Sequence, residues 1–180
     1  MQVKTIPQPW LSFLLEIDAF VGEPVQLHCL GGFVVTVVNG LDRPTSDLDT
    51  LSLTGHSTEL FQFAGEGSKI SQRYGLYLDR VGIATLPENY EDRLSEVFAG
   101  SFEHLQIFVL DPYDVALAKI ERNGDTDRED VRHLARVVPF DLEVLSQRYR
   151  DELRAYLGNP KREDLTLKLW LEMIQDDRST

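Results

Sequence analysis

Residues 30–53 read LGGFVVTVVNGLDRPTSDLDTLSL, and this stretch limits the possible folds more than any other part of the chain. Its closing segment, DLDTLSL, alternates in the manner of a strand. Asp47 and Asp49 therefore project from one face while Leu48 turns to the packed side. Upstream, PVQLHCL after Pro24 reads as a short strand that ends at the Gly31–Gly32 turn. Periodicity alone leaves FVVTVVNGL open between a strand and a buried helix ending at Gly40. We read it as a helix, because a strand–glycine–helix unit gives the two glycines a purpose.

The remaining elements follow from spacing. Trp10, Phe13, Leu14, Ile17 and Phe20 recur at helical intervals and predict an amphipathic helix over 8–20. A helix weakened by Gly65 and Gly67 is expected over 57–73, then a strand or hairpin in YGLYLDRVGIATL that carries Asp79. HLQIFVL reads as a strand closed by Asp111–Pro112, with Pro112 suited to the first position of a helix through PYDVALAKIER that ends at NGD. Thr126 and Glu129 have capping-box spacing, so a helix is expected from Asp127 to about Val137. Two amphipathic helices follow Pro139, about 141–157 lined by Leu142, Leu145, Tyr149 and Leu153, and 163–176 lined by Leu169, Trp170, Met173 and Ile174. Strands and helices mix early and the tail is all helix. The expected fold is α/β (α+β), a mixed sheet flanked by helices with a C-terminal helical bundle, divided as 1–110 and 111–180.

Composition decides which partners to consider. The 180 residues carry 42% hydrophobic and 27% charged side chains, enough to bury a core, and a formal net charge of −12. Such a chain repels nucleic acid and anionic membranes on average, so contact with either requires a local basic patch. Arg128, Arg132 and Arg136 recur every four residues and supply one, readable as a guide for RNA or as a solvated face salted with acids. WLSFLLEI is short and lacks a basic leader, and no run approaches the ~20 apolar residues of a membrane span. The single cysteine, Cys29, sits in an apolar run and suits a core thiol in a reducing cytoplasm. His28, His56, His104 and His133 have no zinc spacing, and neither a Walker A motif nor a Gly-x-Ser-x-Gly elbow is present.

Two parallel carboxylates repel one another unless a cation lies between them. Hard oxygen ligands at Asp47 and Asp49 suit Mg²⁺, or Mn²⁺, which takes one or two carboxylates and completes its shell with water and phosphate. The alternative is a pair of aspartates solvated at a strand end. Gly31 and Gly32 bear on the choice, since residues without side chains let backbone approach a phosphate and a helix start offers N–H groups to an anion. A phosphate cradle followed by a metal-binding pair makes a coherent site for a nucleoside triphosphate.

GGFVVTVVNGLDRPTSDLDTLSL resembles the signature of the nucleotidyltransferase fold, the superfamily of DNA polymerase beta, in which Gly-Gly or Gly-Ser at a helix start precedes Asp-x-Asp in a strand. DPYDVALAKIERNGDTDREDVRHLAR is similar to the Lys-containing helix and Asp-rich segment of bacterial nucleotidyltransferase-like proteins related to the AbiEii group of type IV toxins. The resemblance implies that Gly31 and Gly32 contact the triphosphate, that Asp47 and Asp49 hold the metal, and that a third carboxylate comes from a neighbouring strand. Asp79 is the choice for it, against Asp111 and Asp114. The resemblance further implies that Lys119 binds phosphate or balances the carboxylates, and that Asp130 belongs to the site. Spacing puts Arg122 on the same helix face as Lys119, and the alternative for both is a solvated basic face, with pairing to Asp114 or Glu121 as a variant. Asp127 is read as an acid favoured by the helix dipole. Arg43, Thr45 and Ser46 are expected to brace the loop or touch nucleotide. The implied activity is transfer of a nucleoside monophosphate from an NTP to a hydroxyl of RNA, a tRNA end, a protein or a small molecule. An antitoxin-like protein is the implied partner, and a degenerate nucleotide-binding module is the rival expectation.

Overall fold

Strands at 25–29, 47–54, 77–80, 95–97 and 105–109 join into one sheet in a computed structural model of the chain. The structure describes residues 5–54 and 57–179, apart from the side chains of Ser52, Thr54 and Ser57, so His56 lies outside the described residues. Strand order is β3 (Tyr77–Arg80), β2 (Asp47–Thr54), β1 (Val25–Cys29), β5 (Leu105–Val109), β4 (Ser95–Val97). β1 is antiparallel to β2 and parallel to β5, β2 is parallel to β3, and β4 is antiparallel to β5, which makes the sheet mixed. Alternation puts Val25, Leu27, Cys29, Leu105, Ile107 and Val109 on the packed face. The opposite face of β1 and β5 is polar and aromatic: Gln26 Nε2 donates to Gln106 Oε1 at 3.0 Å, and the His28 and Phe108 rings meet edge-on at 5.9 Å.

A bulge interrupts the β1–β2 pairing. Leu27 pairs with Leu53 and His28 with Ser52, yet Cys29 pairs with Thr50, so β2 carries one extra residue at Leu51.

The chain divides into two compact units, one reaching to Ile83 and including Leu94–Leu110, the other formed by Ala84–Arg93 and the chain from Asp111 onward. In the first unit, α1 (Trp10–Val21) buries Trp10, Phe13, Leu14 and Ile17, as their spacing predicts. Phe20 departs from that stripe, being 43% exposed and stacked on Phe63 at 4.0 Å. Asp18 also turns inward, where its carboxylate accepts from the N–H groups of Glu103, His104 and Leu105 at 3.0, 2.7 and 2.8 Å. The ambiguous run is helical: α2 (Gly31–Phe33) continues into a π-helical turn, Val34–Val38, with Phe33, Val34 and Val35 fully buried. Thr36 is its one polar residue before Asn39, and it too is buried, so the start of the run carries no solvent-facing stripe. Asn39 Nδ2 donates to the Val34 carbonyl at 2.8 Å, and Gly40 follows at φ +78°.

The helix expected over 57–73 is two helices, α3 (Ser57–Ala64) and α4 (Lys69–Tyr74). Gly65 leaves the helix to bridge Leu78 of β3, at a spot where a Cβ would lie 2.3 Å from the Phe61 carbonyl oxygen. β3 is a single strand, not a hairpin. Strand β4 was not expected, since Ser-Glu-Val offers one apolar residue and no alternation to read.

In the second unit, α5 (Pro112–Leu117) is shorter than expected. Beyond it the bonds tighten, Lys119 N–H to Ala116 and Ile120 N–H to Leu117, and both Lys119 and Ile120 turn inward. α6 (Asp125–Val137) starts two residues before the expected Asp127. Gly124 occupies its N-cap, and the capping carboxylate is Asp127, which accepts from the Gly124 N–H at 2.9 Å. α7 (Leu142–Arg148) runs on through a π-helical turn (Tyr149–Leu153) and a 3₁₀ turn (Arg154–Tyr156), burying Leu145, Tyr149 and Leu153. α8 (Pro160–Ser179) buries Glu163, Thr166, Leu167, Trp170 and Ile174. Leu169, expected on that face, is 51% exposed because the stripe is phased on Trp170. Among the described residues no helix is long and apolar enough to cross a membrane.

Candidate active site

The glycine bend and the aspartate pair meet. Leu30 is extended, Gly31 takes φ +73°, and the Leu30 N–H donates to the Asp49 carbonyl at 3.1 Å, which ties the bend to β2. The space above the bend is filled by the acidic strand. A Cβ on Gly31 would lie 1.8 Å from Asp49 Oδ2, and one on Gly32 would lie 2.5 Å from Thr45 Oγ1 and 3.8 Å from Asp47 Oδ1. No side chain fits at Gly31, and the positive φ would strain one in any case. Thr45 donates from Oγ1 to Asp47 Oδ1 at 2.9 Å, fixing the direction of that carboxylate. Leu48, between the two aspartates, is fully buried and anchors the strand so that both acids face outward.

β3 adds the third acid. Asp79 is in register with Asp49, and Tyr77 with Asp47, so all four side chains leave the same face of the β2–β3 pair. Ser46 and Arg43 lie in the loop before β2. The Ser46 carbonyl accepts from the Tyr77 N–H at 2.9 Å, and the Arg43 N–H donates to Leu41 O at 2.9 Å, so the backbone of both residues braces the loop.

The electrostatics show how concentrated this charge is. Burial first pushes the Tyr77 phenol above its ordinary range, and the carboxylates of Asp47, Glu66, Asp79 and Asp49 push it further. These four acids thus act on one phenol. Tyr77 and Glu66 escape sequence reasoning, because an i+2 pattern finds acids within a strand and not those supplied by a neighbouring loop. Below the same strands, burial pushes the Cys29 thiol far up, with the Asp49 charge adding to it, which marks a core thiol with no nucleophilic character.

Among the described residues, no group of three or more His, Cys, Asp or Glu side chains is arranged as a ready metal cage. The donor set at the bend is instead a pair of carboxylates beside a backbone cradle. Mg²⁺ needs no more from protein, since it fills its remaining positions with water and phosphate oxygen. Asp47 and Asp49 therefore fit such an ion.

The other expected site residues belong to the second unit. Lys119 is buried at 5% exposure, its Nζ 2.9 Å from Asp130 Oδ2 and 3.6 Å from Asp127 Oδ1. Arg122, which is exposed, donates to both oxygens of Asp127. The two cations do not share one helix face as expected, since α5 ends at Leu117 and they approach Asp127 from the buried and the open side. Burial raises the Asp127 carboxylate, but Arg122, the Gly124 N–H and Lys119 outweigh it and hold the group below the usual range. The rival third carboxylates are also occupied. Asp114, fully buried, is bonded by Arg93 and Arg148, and Asp111 caps α5 through the Tyr113 N–H and meets Arg148 at 2.7 Å.

A family model described as nucleotidyltransferase of unknown function (DUF6036) matches residues 15–178, and the chain belongs to that family. No curated protein and no solved structure matches the chain.

Proposed function

We propose that this nucleotidyltransferase-family protein moves a nucleoside monophosphate from an NTP to a hydroxyl acceptor at the glycine bend. The reading places it in the DNA polymerase beta superfamily, near the AbiEii-like toxins, with a tRNA end as the first acceptor to test. The observation that carries it is the packing of the bend against the acidic strand, where a Cβ on Gly31 would collide with Asp49 and one on Gly32 with Thr45, the residue that holds Asp47.

The parts take the following roles. Gly31 and Gly32 open α2, whose first N–H groups have no intrahelical acceptor and face the triphosphate. Asp47 and Asp49 hold Mg²⁺ or Mn²⁺, which when bound neutralises charge on the phosphoryl oxygens and aligns attacker with leaving group. Thr45 keeps Asp47 aimed at the ion. Asp79, across from Asp49, takes the proton of the acceptor hydroxyl as its oxygen attacks the α-phosphorus; pyrophosphate leaves. Lys119 organises Asp127 and Asp130 in the helical unit rather than holding phosphate. The buried Cys29 thiol suits a cytoplasmic setting.

The test is incubation with each labelled triphosphate, Mg²⁺ and total cellular RNA, with Asp49→Ala as the blank. Label transferred by the wild type and absent from the blank supports the reading. Equal labelling by the variant would overturn it, and metal-dependent NTP binding without turnover on any acceptor would identify a binding module instead.

A further inference from the structure

Arg132 and Arg136 of α6 have a destination that the transfer reaction does not use, while Arg128, at the start of the helix, binds Asp125 and the Asn123 carbonyl. Between the end of α6 and the end of α8 lies a pocket of about 250 Å³ whose polar lining is Arg132, Arg136, Arg178 and Asp177. Its remaining wall is apolar and includes Ala135 and Ile174. We propose that this pocket binds a phosphate monoester, with the two helices gripping the phosphate and the apolar wall taking the organic portion.

Charge carries the argument. Three guanidinium groups line the pocket against one carboxylate, which leaves an excess of two positive charges in a chain whose net charge is −12. Asp177 Oδ2 sits 3.2 Å from Arg132 Nε and 3.6 Å from Arg136 Nη2, and that oxygen is buried without a hydrogen bond of good geometry. One oxygen shared by two forks cannot take up their donors, since each guanidinium presents five N–H groups. Arg178 uses one nitrogen on the Phe140 carbonyl and is thereby held at the pocket edge. A phosphate monoester carries roughly 1.5 to 2 negative charges at neutral pH, which matches the excess. A carboxylate or a backbone phosphodiester supplies one. Arginine forks also meet phosphate oxygens two at a time, so recognition is geometric as well as electrostatic. The pocket is slightly smaller than the roughly 300 Å³ at which drug-sized sites begin, which suits one phosphate and a small attached group.

The free nucleotide and the phosphorylated end of a nucleic acid present the same chemistry, and the experiment separates them. Isotope-labelled protein in EDTA is titrated with AMP, inorganic phosphate, acetate, and a short RNA with and without a 5′-phosphate, following backbone amides by NMR. AMP is expected to shift amides of 132–138 and 174–178, and Arg136→Gln to weaken it at least about tenfold, the size of one lost charge-assisted bond. Arg136 is 67% exposed, so the variant keeps its fold, checked by its thermal transition. Whichever of AMP and the phosphorylated RNA binds tighter identifies the source. The proposal is overturned if those amides stay still, if acetate moves them as strongly as AMP, if the unphosphorylated RNA binds as well as its phosphorylated form, or if Arg136→Gln leaves the affinity unchanged.

Discussion

Asp79 stands opposite Asp49 across the parallel β2–β3 pair. Like charges in that relation destabilise a sheet by up to about 1 kcal/mol, and Asp47, two residues along the same face, adds to the repulsion. Asp79→Asn should therefore raise the melting temperature of the metal-free protein while lowering transfer by about 10²-fold or more, the usual worth of a positioned base. Calorimetric melting and a transfer assay on the same preparation check both signs.

Asp49→Ala removes a metal ligand from an outward-facing position, leaving Leu48 in the core. If the ion supplies about 4 kcal/mol of transition-state stabilisation, the rate should fall about a thousandfold. The far-UV spectrum should remain that of the wild type.

The two glycines should fail differently. Gly31→Ala meets Asp49 Oδ2 at 1.8 Å and forces an L-residue to φ +73°, so it should cost about 1–3 kcal/mol of stability along with activity. Gly32→Ala has no such backbone penalty and meets Thr45 Oγ1 at 2.5 Å. Adding Thr45→Ala should recover part of its stability loss, which a double-mutant cycle by urea melts would show as non-additivity.

Lys119→Met leaves Asp127 and Asp130 buried without their ammonium partner. Breaking such a group by removing one member costs about 3–5 kcal/mol. Lys119→Arg should lose less, and denaturant midpoints distinguish the two.

Acid should loosen α1 from the turn before β5. Burial raises the Asp18 carboxylate, but its three backbone N–H donors outweigh that and hold it below its ordinary value of 3.8. A depressed acid stabilises the fold above its unfolded pKa, and that contribution is lost as pH falls through the folded one. Wild type should therefore exceed Asp18→Asn by a constant margin near neutrality, and the gap should close below about pH 4. Asp18→Ala, which strands three donors, should cost about 2–4 kcal/mol at pH 7.

Much of this is legible in the sequence. The outward Asp47 and Asp49 follow from period two, and the α1 core stripe from period 3.6, because both depend only on backbone geometry. Helical FVVTVVN could be chosen only by giving the glycines a role, since a segment without a solvent-facing stripe carries no phase. The split at Gly65 depends on a bridge to Leu78, a long-range contact that local propensity does not contain. Leu169 and Trp170 of α8 are both apolar, so spacing admits either to the buried face, and only packing selects Trp170. The placing of Lys119 beside two aspartates was hidden by the early end of α5, which turns its side chain inward.

The extra residue at Leu51 resets which residues of β2 point inward: Leu48 and Thr50 pack before it, and Leu53, across from Leu27, shares their side after it. Without the bulge, the eight residues from Asp47 to Thr54 would have to keep a single parity. If the downstream half held its place, both acids would be driven into the apolar layer and Leu48 out into water. The one unpaired residue at Leu51 is thus what keeps the acidic edge and the greasy edge of the same ribbon from trading places.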